Sequence, residues 1–278
     1  MFKTEFKNQN VYIYGLEDFD LPHTLDCGQA FRWEEKENGV WKGVAFNKYL
    51  ELQKLPDNTV ILFNTTKQDF ENIWRGYFDL DRDYKAIIKA ISGNEILNKA
   101  SNFGNGIRVL NQEPWETLCS FIISQNNNVK RIKGIISRLC ENFGEDMDGF
   151  YTFPSAEKIS KLSLEDLSVI RAGFRGKYIL DAAKKVSGGE VWLENLKNMP
   201  IDEARNELMK INGVGPKVAD CALLFSHRHI EAFPKDVWIK RAMETLFDGN
   251  LPKEALPYAG IVQQYIFFYA RETKLEIS

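Results

Sequence analysis

The sequence predicts an α+β fold, an antiparallel β-sheet followed by an all-helical region, on three observations. From Val11 to about Asn64 apolar and polar residues alternate with period two and are rich in aromatic and β-branched types. Asn38-Gly39 and Asp57-Asn58 supply hairpin turns within that stretch. From Thr66 onward the apolar period becomes helical, and no further convincing strand follows. Strands first and helices afterwards is the α+β order.

The expected strands are Val11–Tyr14, Phe31–Glu34, Val40–Phe46, Tyr49–Leu55 and Thr59–Phe63. The boundary is expected between Asp83 and Asn111, which divides the chain into a sheet domain with connecting helices, 1–110, and a helical domain, 111–278. In the second part Pro114-Trp115-Glu116 starts a helix that runs through Leu118, Phe121, Ile122 and Ile123. Ser124-Gln125-Asn126-Asn127-Asn128 interrupts it, because consecutive asparagines favour turns and local backbone bonding. A helix, a Gly-rich hairpin and a second helix occupy the region around Ile211-Asn212-Gly213-Val214-Gly215-Pro216. Val237 to Phe247 and Pro257 to Arg271 read as the last two helices, the final one apolar almost all round. The chain has no repeat, low-complexity tract or long linker.

A hydrophobic content of 44% in 278 residues is enough for a substantial core, in one large domain or two. No apolar run reaches the length of a membrane span and the N-terminus lacks a signal-peptide stretch, so no membrane association or secretion is expected. Cys27, Cys119, Cys140 and Cys221 are scattered, which speaks against a disulfide framework, a zinc site or a four-cysteine iron–sulfur cluster. The net charge of −3 and pI near 5.8 argue against a DNA partner on bulk electrostatics. Locally the balance differs. Val129 to Leu139 carries Lys130, Arg131, Lys133 and Arg138 without an acid, and Arg171 to Lys185 carries five cations against Asp181 alone.

The chemistry is concentrated between Leu208 and Arg241. Two glycines in three residues permit a sharp turn and a close backbone approach. Pro216 suits the first turn of the following helix, whose unpaired N–H groups form an anion site. Lys217 follows at once, and Asp236 lies nineteen positions later, after Pro234. Taken singly, these are a core turn, a surface lysine and a helix N-cap. Together they resemble the helix-hairpin-helix and Pro-x-Asp loop of a superfamily of DNA base-excision glycosylases, in which the lysine marks members that also cut the strand.

Further segments resemble the 8-oxoguanine branch of that superfamily. Cys27-Gly28-Gln29-Ala30-Phe31-Arg32-Trp33 is similar to its Gly-Gln-Ser-Phe-Arg-Trp segment, with alanine in place of serine. The resemblance implies that the Gly28 carbonyl accepts the N7–H of the oxidised base. Guanine has a lone pair there, so the mismatch costs about 1–3 kcal/mol. Asn126 matches an asparagine that fills the hole left by the extruded nucleotide, and Arg131 and Arg175 match arginines that read the orphaned cytosine. Phe174 matches a wedge residue that is tyrosine in better-known members. Its missing hydroxyl implies a weaker preference for cytosine. Gln263 and Phe267, four apart on one helix face, match the glutamine that bonds the base edge and the phenylalanine that stacks on it, with Cys221 as the opposing wall.

The mechanism so implied has Lys217 attack C1′ of the flipped nucleotide, Asp236 stabilise the cationic sugar, and β-elimination break the strand from a Schiff base. Backbone N–H groups of Gly213, Gly215 and Val218 would hold a phosphate. Trp238 stands where relatives often carry a phosphate-contacting histidine. A structural cation on the carbonyls of Met209, Ile211 and Val214 is also implied, with no cofactor required for the chemistry. The expected partner is duplex DNA containing 8-oxoguanine, bound by a monomer, in the cytoplasm of a prokaryote or the nucleus of a eukaryote. The weak net field predicts a gentle salt dependence. Three alternatives remain at this stage: a glycosylase for another lesion, a non-catalytic DNA-binding module, and a helical scaffold without a DNA role.

Overall fold

Hairpin turns build the sheet, which lies within residues 3–63. The computed structural model describes residues 2–275. Six antiparallel strands, β1 Lys3–Lys7, β2 Asn10–Tyr14, β3 Trp33–Glu35, β4 Val40–Ala45, β5 Lys48–Lys54 and β6 Val60–Phe63, form one sheet in the order β1-β2-β6-β5-β4-β3. Asn38 and Gly39 take φ of 61° and 70°, the left-handed pair that a tight hairpin needs. Phe46 and Asn47 do the same between β4 and β5, at φ 51° and 57°. Phe46 thus lies in a turn and not in the expected strand. Its ring packs edge-on against Tyr77, with centroids 6.4 Å apart.

Two other boundaries differ from the sequence expectation. Strand β1 was not expected, because its KTEFK sequence offers little apolar signal to an edge strand that pairs on one side only. Strand β3 begins at Trp33 and not at Phe31, because Phe31 and Arg32 turn toward the helices. Phe31 meets the Phe121 ring edge-on at 5.8 Å, and Arg32 pairs with Glu116 at 3.2 Å and donates to the Tyr151 carbonyl.

The helices form the second layer. Among the described residues none is long and apolar enough to cross a membrane. The helices Tyr84–Ile91 and Glu95–Phe103 precede residue 110, yet they bury Tyr84, Ile87, Ile91, Leu97 and Ala100 in the helical core, while Leu110 belongs to the sheet's core. Phe103 packs against Phe268 and Tyr269 of the final helix, Ala259–Thr273. The two apolar cores therefore interleave in sequence. Cys27 and Phe31 lie in the helical core, whereas Ala30 and Trp33 lie in the sheet's.

This crossing is held by Gln29, which is 1% exposed. Its amide nitrogen donates to the carbonyls of Thr24 at 2.9 Å and Arg108 at 2.8 Å, and its oxygen accepts the Leu110 N–H at 2.9 Å. The side chain of Gln112 donates to the Gln29 carbonyl at 2.7 Å. Beside it, the buried Arg108 donates to Asp18 and to the Asp79 carbonyl and lies over the Tyr84 ring. Gln29→Ala would leave the Arg108 carbonyl and the Leu110 N–H without partners and the Thr24 carbonyl with only the weak Cys27 thiol contact. We expect it to lower stability by at least about 2 kcal/mol, read as a reduced urea midpoint at unchanged m-value.

Candidate active site

The hairpin is built by its backbone. After the helix Ile201–Leu208, the N–H of Ile211 donates to Leu208 and that of Val214 to Ile211. Asn212 is fixed by Asp181, which accepts its backbone N–H at 2.7 Å and its side-chain amide at 2.9 Å. Gly213 has φ +81°, and a Cβ there would overlap the Tyr178 ring, so no other residue fits. Gly215 is different. Its φ of −103° is ordinary and space around it is open. It starts the helix Pro216–Ser226 without a capping side chain, which leaves the first-turn N–H groups directed outward. Val218 buries its side chain in the core and can offer only its backbone.

Lys217, on the first turn, is half-buried with its ammonium 5.2 Å from the Phe121 ring centroid. One turn later Cys221 is buried, and burial pushes its thiol up to about 11 against the opposing pull of Lys217. Asp236 caps the helix Val237–Leu246 by accepting the Ile239 N–H at 2.8 Å. Burial raises its carboxyl above the ordinary aspartate value of 3.8, opposed by the Ile239 amide and then by the charge of Lys217. The N-cap and the lysine-facing carboxylate are thus one side chain.

From the final helix Gln263 and Phe267 face the same place. The Gln263 nitrogen donates to the Pro234 carbonyl at 3.2 Å, and its oxygen accepts from Gln264 at 2.7 Å. Each of these bonds leaves one N–H or one lone pair for a ligand. Gly28, Lys217, Cys221, Asp236, Gln263 and Phe267 all line one narrow cleft of about 50 Å³. A larger cavity of about 360 Å³ opens between the sheet and the helix Val129–Phe143, but none of these six residues reaches it. Size does not mark this site. Residue chemistry does.

A second cluster lies outside the cleft lining. Asn126 takes φ +48° in the loop between the helices Pro114–Ser124 and Val129–Phe143, and Asn128 caps the second of these. Arg175, 3% exposed, donates to the carbonyls of Gln125, Asn126 and Ala172. Its guanidinium lies 4.4 Å from the centroid of the Phe174 ring, which is half exposed. Burial and the nearby Arg131 both pull the Arg175 pKa down. Arg175 is therefore a strut for the asparagine loop in this structure, and Arg131 is the exposed arginine of the pair.

The basic runs sort in the same way. Lys133 bonds Asp26 and the Trp33 carbonyl, Arg138 bonds the Ile170 carbonyl, and Lys185 pairs with Asp181. Lys130, Arg131, Arg171, Lys177 and Lys184 are exposed and make no ion pair among the described residues. Trp238 packs partly into the helical core, while its neighbour Val237 is 80% exposed. Several residues of the cleft region were not foreseen, among them Phe121 and Phe225, whose stacked rings line it beneath Lys217. Gln264 orients Gln263, and Arg271 donates to the Cys27 carbonyl at 3.0 Å. Arg271 was visible in principle as the next member of the Gln263, Phe267 spacing, but a cation in the last turn of a helix is commonplace.

Comparison with known proteins agrees with this geometry. Residues 11–118 match the N-terminal domain of 8-oxoguanine DNA glycosylase, and residues 119–255 match the HhH-GPD superfamily of base excision DNA repair proteins. A solved structure of MBOgg1 in complex with a low-affinity DNA ligand is 43% identical and superposes with a TM-score of 0.92 over 99% of both chains. The 8-oxoguanine glycosylase/lyase of Clostridium acetobutylicum, solved with double-stranded DNA containing cytosine opposite 8-oxoguanine, is 39% identical with a TM-score of 0.91, again over 99% of both. The N-glycosylase/DNA lyase of Saccharomyces cerevisiae is 32% identical over 258 residues, which cover 80% of this chain and 66% of the yeast protein's length. With both domain types in order, and a cleft that gathers the lysine, the aspartate and the glycine, the chain belongs to the 8-oxoguanine DNA glycosylase branch of the HhH-GPD superfamily.

Proposed function

We propose that this protein is a bifunctional DNA glycosylase and AP lyase that extrudes 8-oxoguanine from duplex DNA, excises it and cleaves the strand. The observation that carries this reading is the single cleft shared by Lys217, Asp236 and Gly28, walled by Cys221 and Phe267. A lysine and a buried carboxylate alone would suit any strand-cutting member of the superfamily. The Gly28 backbone beside them is what selects the oxidised purine.

Extrusion costs a few kcal/mol. Asn126 and Phe174 offset it by filling and wedging the stack, aromatic stacking being worth roughly 1–3 kcal/mol per base. Arg131 reads the orphaned base, and Arg175 joins it only by giving up its carbonyl partners in the asparagine loop. The amides of Gly213, Gly215 and Val218 hold a phosphate at the helix start, and Trp238 and the exposed lysines flank the duplex. Once the base lies between Phe267 and Cys221, the lone pair of Lys217 Nζ attacks C1′. The C1′–N9 bond breaks and its electrons leave with the base, which takes up a proton. The Asp236 carboxylate stabilises the positive charge that develops on the sugar. The attacking nitrogen gives its proton to the departing base, the C1′–O4′ bond then opens with O4′ taking up a proton, and the open sugar remains bound to Lys217 as a Schiff base. Loss of a C2′ proton expels the 3′ phosphate oxygen and breaks the strand.

No cofactor takes part in this chemistry and no iron–sulfur cluster belongs to the reading. Two of the four cysteines have other partners, Cys221 in the cleft wall and Cys27 against Gln264. The carbonyls of Met209, Ile211 and Val214 are neutral oxygen donors that suit a hard cation. The Lys185 ammonium on the adjacent Lys210 carbonyl, at 2.6 Å, supports a local pull on positive charge. A cation there would orient the hairpin amides toward phosphate. The protein acts as a monomer on chromosomal DNA.

The direct test is incubation with duplexes that carry one 8-oxoguanine, with and without borohydride. The wild type should release the base and give a trapped covalent adduct, and Lys217→Gln should give none. A trapped adduct in Lys217→Gln would remove Lys217 from the role, and release of other lesions but not 8-oxoguanine would move the protein to another specificity.

Two further outcomes are expected. Because burial raises the Asp236 carboxyl above 3.8 and the reaction needs it ionised, single-turnover excision should fall as the pH drops through that raised value. Asp236→Asn should lose this acid limb together with roughly 100- to 1,000-fold in rate. Phe174→Tyr restores a hydroxyl at the wedge and should raise the preference for cytosine over adenine opposite the lesion by roughly 3- to 10-fold, the value of one hydrogen bond. An unchanged ratio of excision rates would place base discrimination elsewhere.

A further inference from the structure

Gln263, Phe267 and Arg271 recur every four residues on the final helix, so all three project from one face. The first two line the cleft. The third stands at its rim, and its contacts are specific. Nη1 of Arg271 donates to the Cys27 carbonyl at 3.0 Å. The guanidinium carbon lies 5.5 Å from the Phe267 ring centroid and 5.9 Å from that of Phe268. Glu272 fixes the other edge, accepting from Nε at 2.9 Å and lying 2.8 Å from Nη2.

The carbonyl that Arg271 holds belongs to the peptide immediately before Gly28. The Cys27 carbonyl and the Gly28 N–H share one rigid plane, and the Gly28 carbonyl lies on the next. Gly28 is the joint between these planes, with φ +96°. A Cβ at Gly28 would lie 3.5 Å from Arg271 Nη1 and 3.8 Å from Phe267, ordinary contact distances. Glycine is therefore required here by the backbone angle and not by lack of room. Glycine is also the most mobile joint a chain can contain. Gln29 clamps the following side of that joint through its buried amide. On the preceding side, the Cys27 thiol reaches Thr24 and Gln264 only through 3.6 Å sulfur contacts, which leaves Arg271 as the charged donor to the plane itself.

We infer that Arg271 is the positioning residue of the base-sensing peptide: its guanidinium clamps the Cys27 carbonyl and backs the Phe267 ring, fixing the Gly28 carbonyl relative to the stacked purine. The inference rests on the 8-oxoguanine reading given above. It assigns Arg271 to lesion recognition; no hydrogen bond or ion pair joins it to Lys217 or Asp236, and its charge is the smallest of the influences on the Asp236 carboxyl, behind burial, the helix amides and Lys217. Substitution should therefore separate the two activities, since a preformed abasic site presents no base to sense.

The test uses the full chain, with Arg271→Met, which keeps length but removes every donor, and Arg271→Lys, which keeps one donor. Single-turnover release of 8-oxoguanine opposite cytosine should fall roughly 10- to 100-fold in Arg271→Met, the range for losing a charge-assisted hydrogen bond, and recover in part in Arg271→Lys. Cleavage of a duplex carrying a preformed abasic site should stay within about twofold of wild type in both. Excision at the wild-type rate in Arg271→Met overturns the inference. So does a parallel loss of both activities with a lowered melting temperature, which would make Arg271 a general structural residue. A wild-type protein that releases no 8-oxoguanine overturns the functional reading as well, and is recognised before any substitution is made.

Discussion

The fold and the cleft depend on one buried amide. Gln29 spans the joint between sheet and helices and bonds backbone groups about eighty residues away in sequence, at Arg108 and Leu110. A buried polar side chain with fully matched partners specifies its location sharply, because every displaced arrangement leaves donors or acceptors without water. The Gly28 carbonyl is thus delivered to the helical layer by a segment that must cross out of the sheet. Arg32 on Glu116 and Arg108 on Asp18 and Asp79 repeat the same device on either side. The cleft receives Gly28 from the crossing segment, Lys217 from the hairpin helix, Asp236 from a helix N-cap, and Gln263 with Phe267 from the final helix. No one of these segments contains a site by itself. Docking of the two layers creates it.

Several residues serve stability and chemistry with the same atoms. Asp236 caps a helix through Oδ1 while its charge faces Lys217, so the bond that stabilises the helix also fixes the carboxylate's direction. Gln263 is bonded to Pro234 and Gln264 before any ligand arrives, which removes its rotational freedom in advance. Arg175 holds the asparagine loop by its carbonyls and lies over the Phe174 ring, joining the two segments to which the proposed function gives the filling and wedging of the duplex. The acidic net charge is compatible with a nucleic-acid ligand because the cations are sorted. Lys133, Arg138 and Lys185 are consumed inside the protein, while Lys130, Arg131, Arg171, Lys177 and Lys184 remain on the surface.

The sheet-then-helix order and the cleft residues were legible in the sequence because each rests on local pattern. Period-two alternation gave five of the six strands, Asn38-Gly39 gave its hairpin, and the spacing of Gly213, Lys217 and Asp236 marked the chemistry. What stayed hidden depends on distant partners. The edge strand Lys3–Lys7 is charged along most of its length and is recognisable only through its pairing with Asn10–Tyr14. The interleaving of the two cores around residues 84–110 follows from which face each helix finds, and both faces are apolar alike. Arg175 reads as a surface cation until its three carbonyl acceptors are known. The two hairpin glycines look equivalent in sequence, yet only Gly213 has a positive φ and a ring against it.

Selection for one extra proton on a purine is a demand on stiffness more than on affinity. A carbonyl that accepts N7–H from the oxidised base gains a hydrogen bond, and the same carbonyl facing the lone pair of guanine loses one. That difference survives only if the carbonyl cannot turn away from guanine when it meets it. A glycine at positive φ in a free loop would rotate and reduce the penalty, and the cleft would then admit the common base along with the rare one. Here the joint is held on the following side by three bonds to the Gln29 amide and on the preceding side by the Arg271 guanidinium. On the proposed function, a glycine at positive φ bracketed in this way is what would make the energy of one proton fall on the ligand and not on the loop.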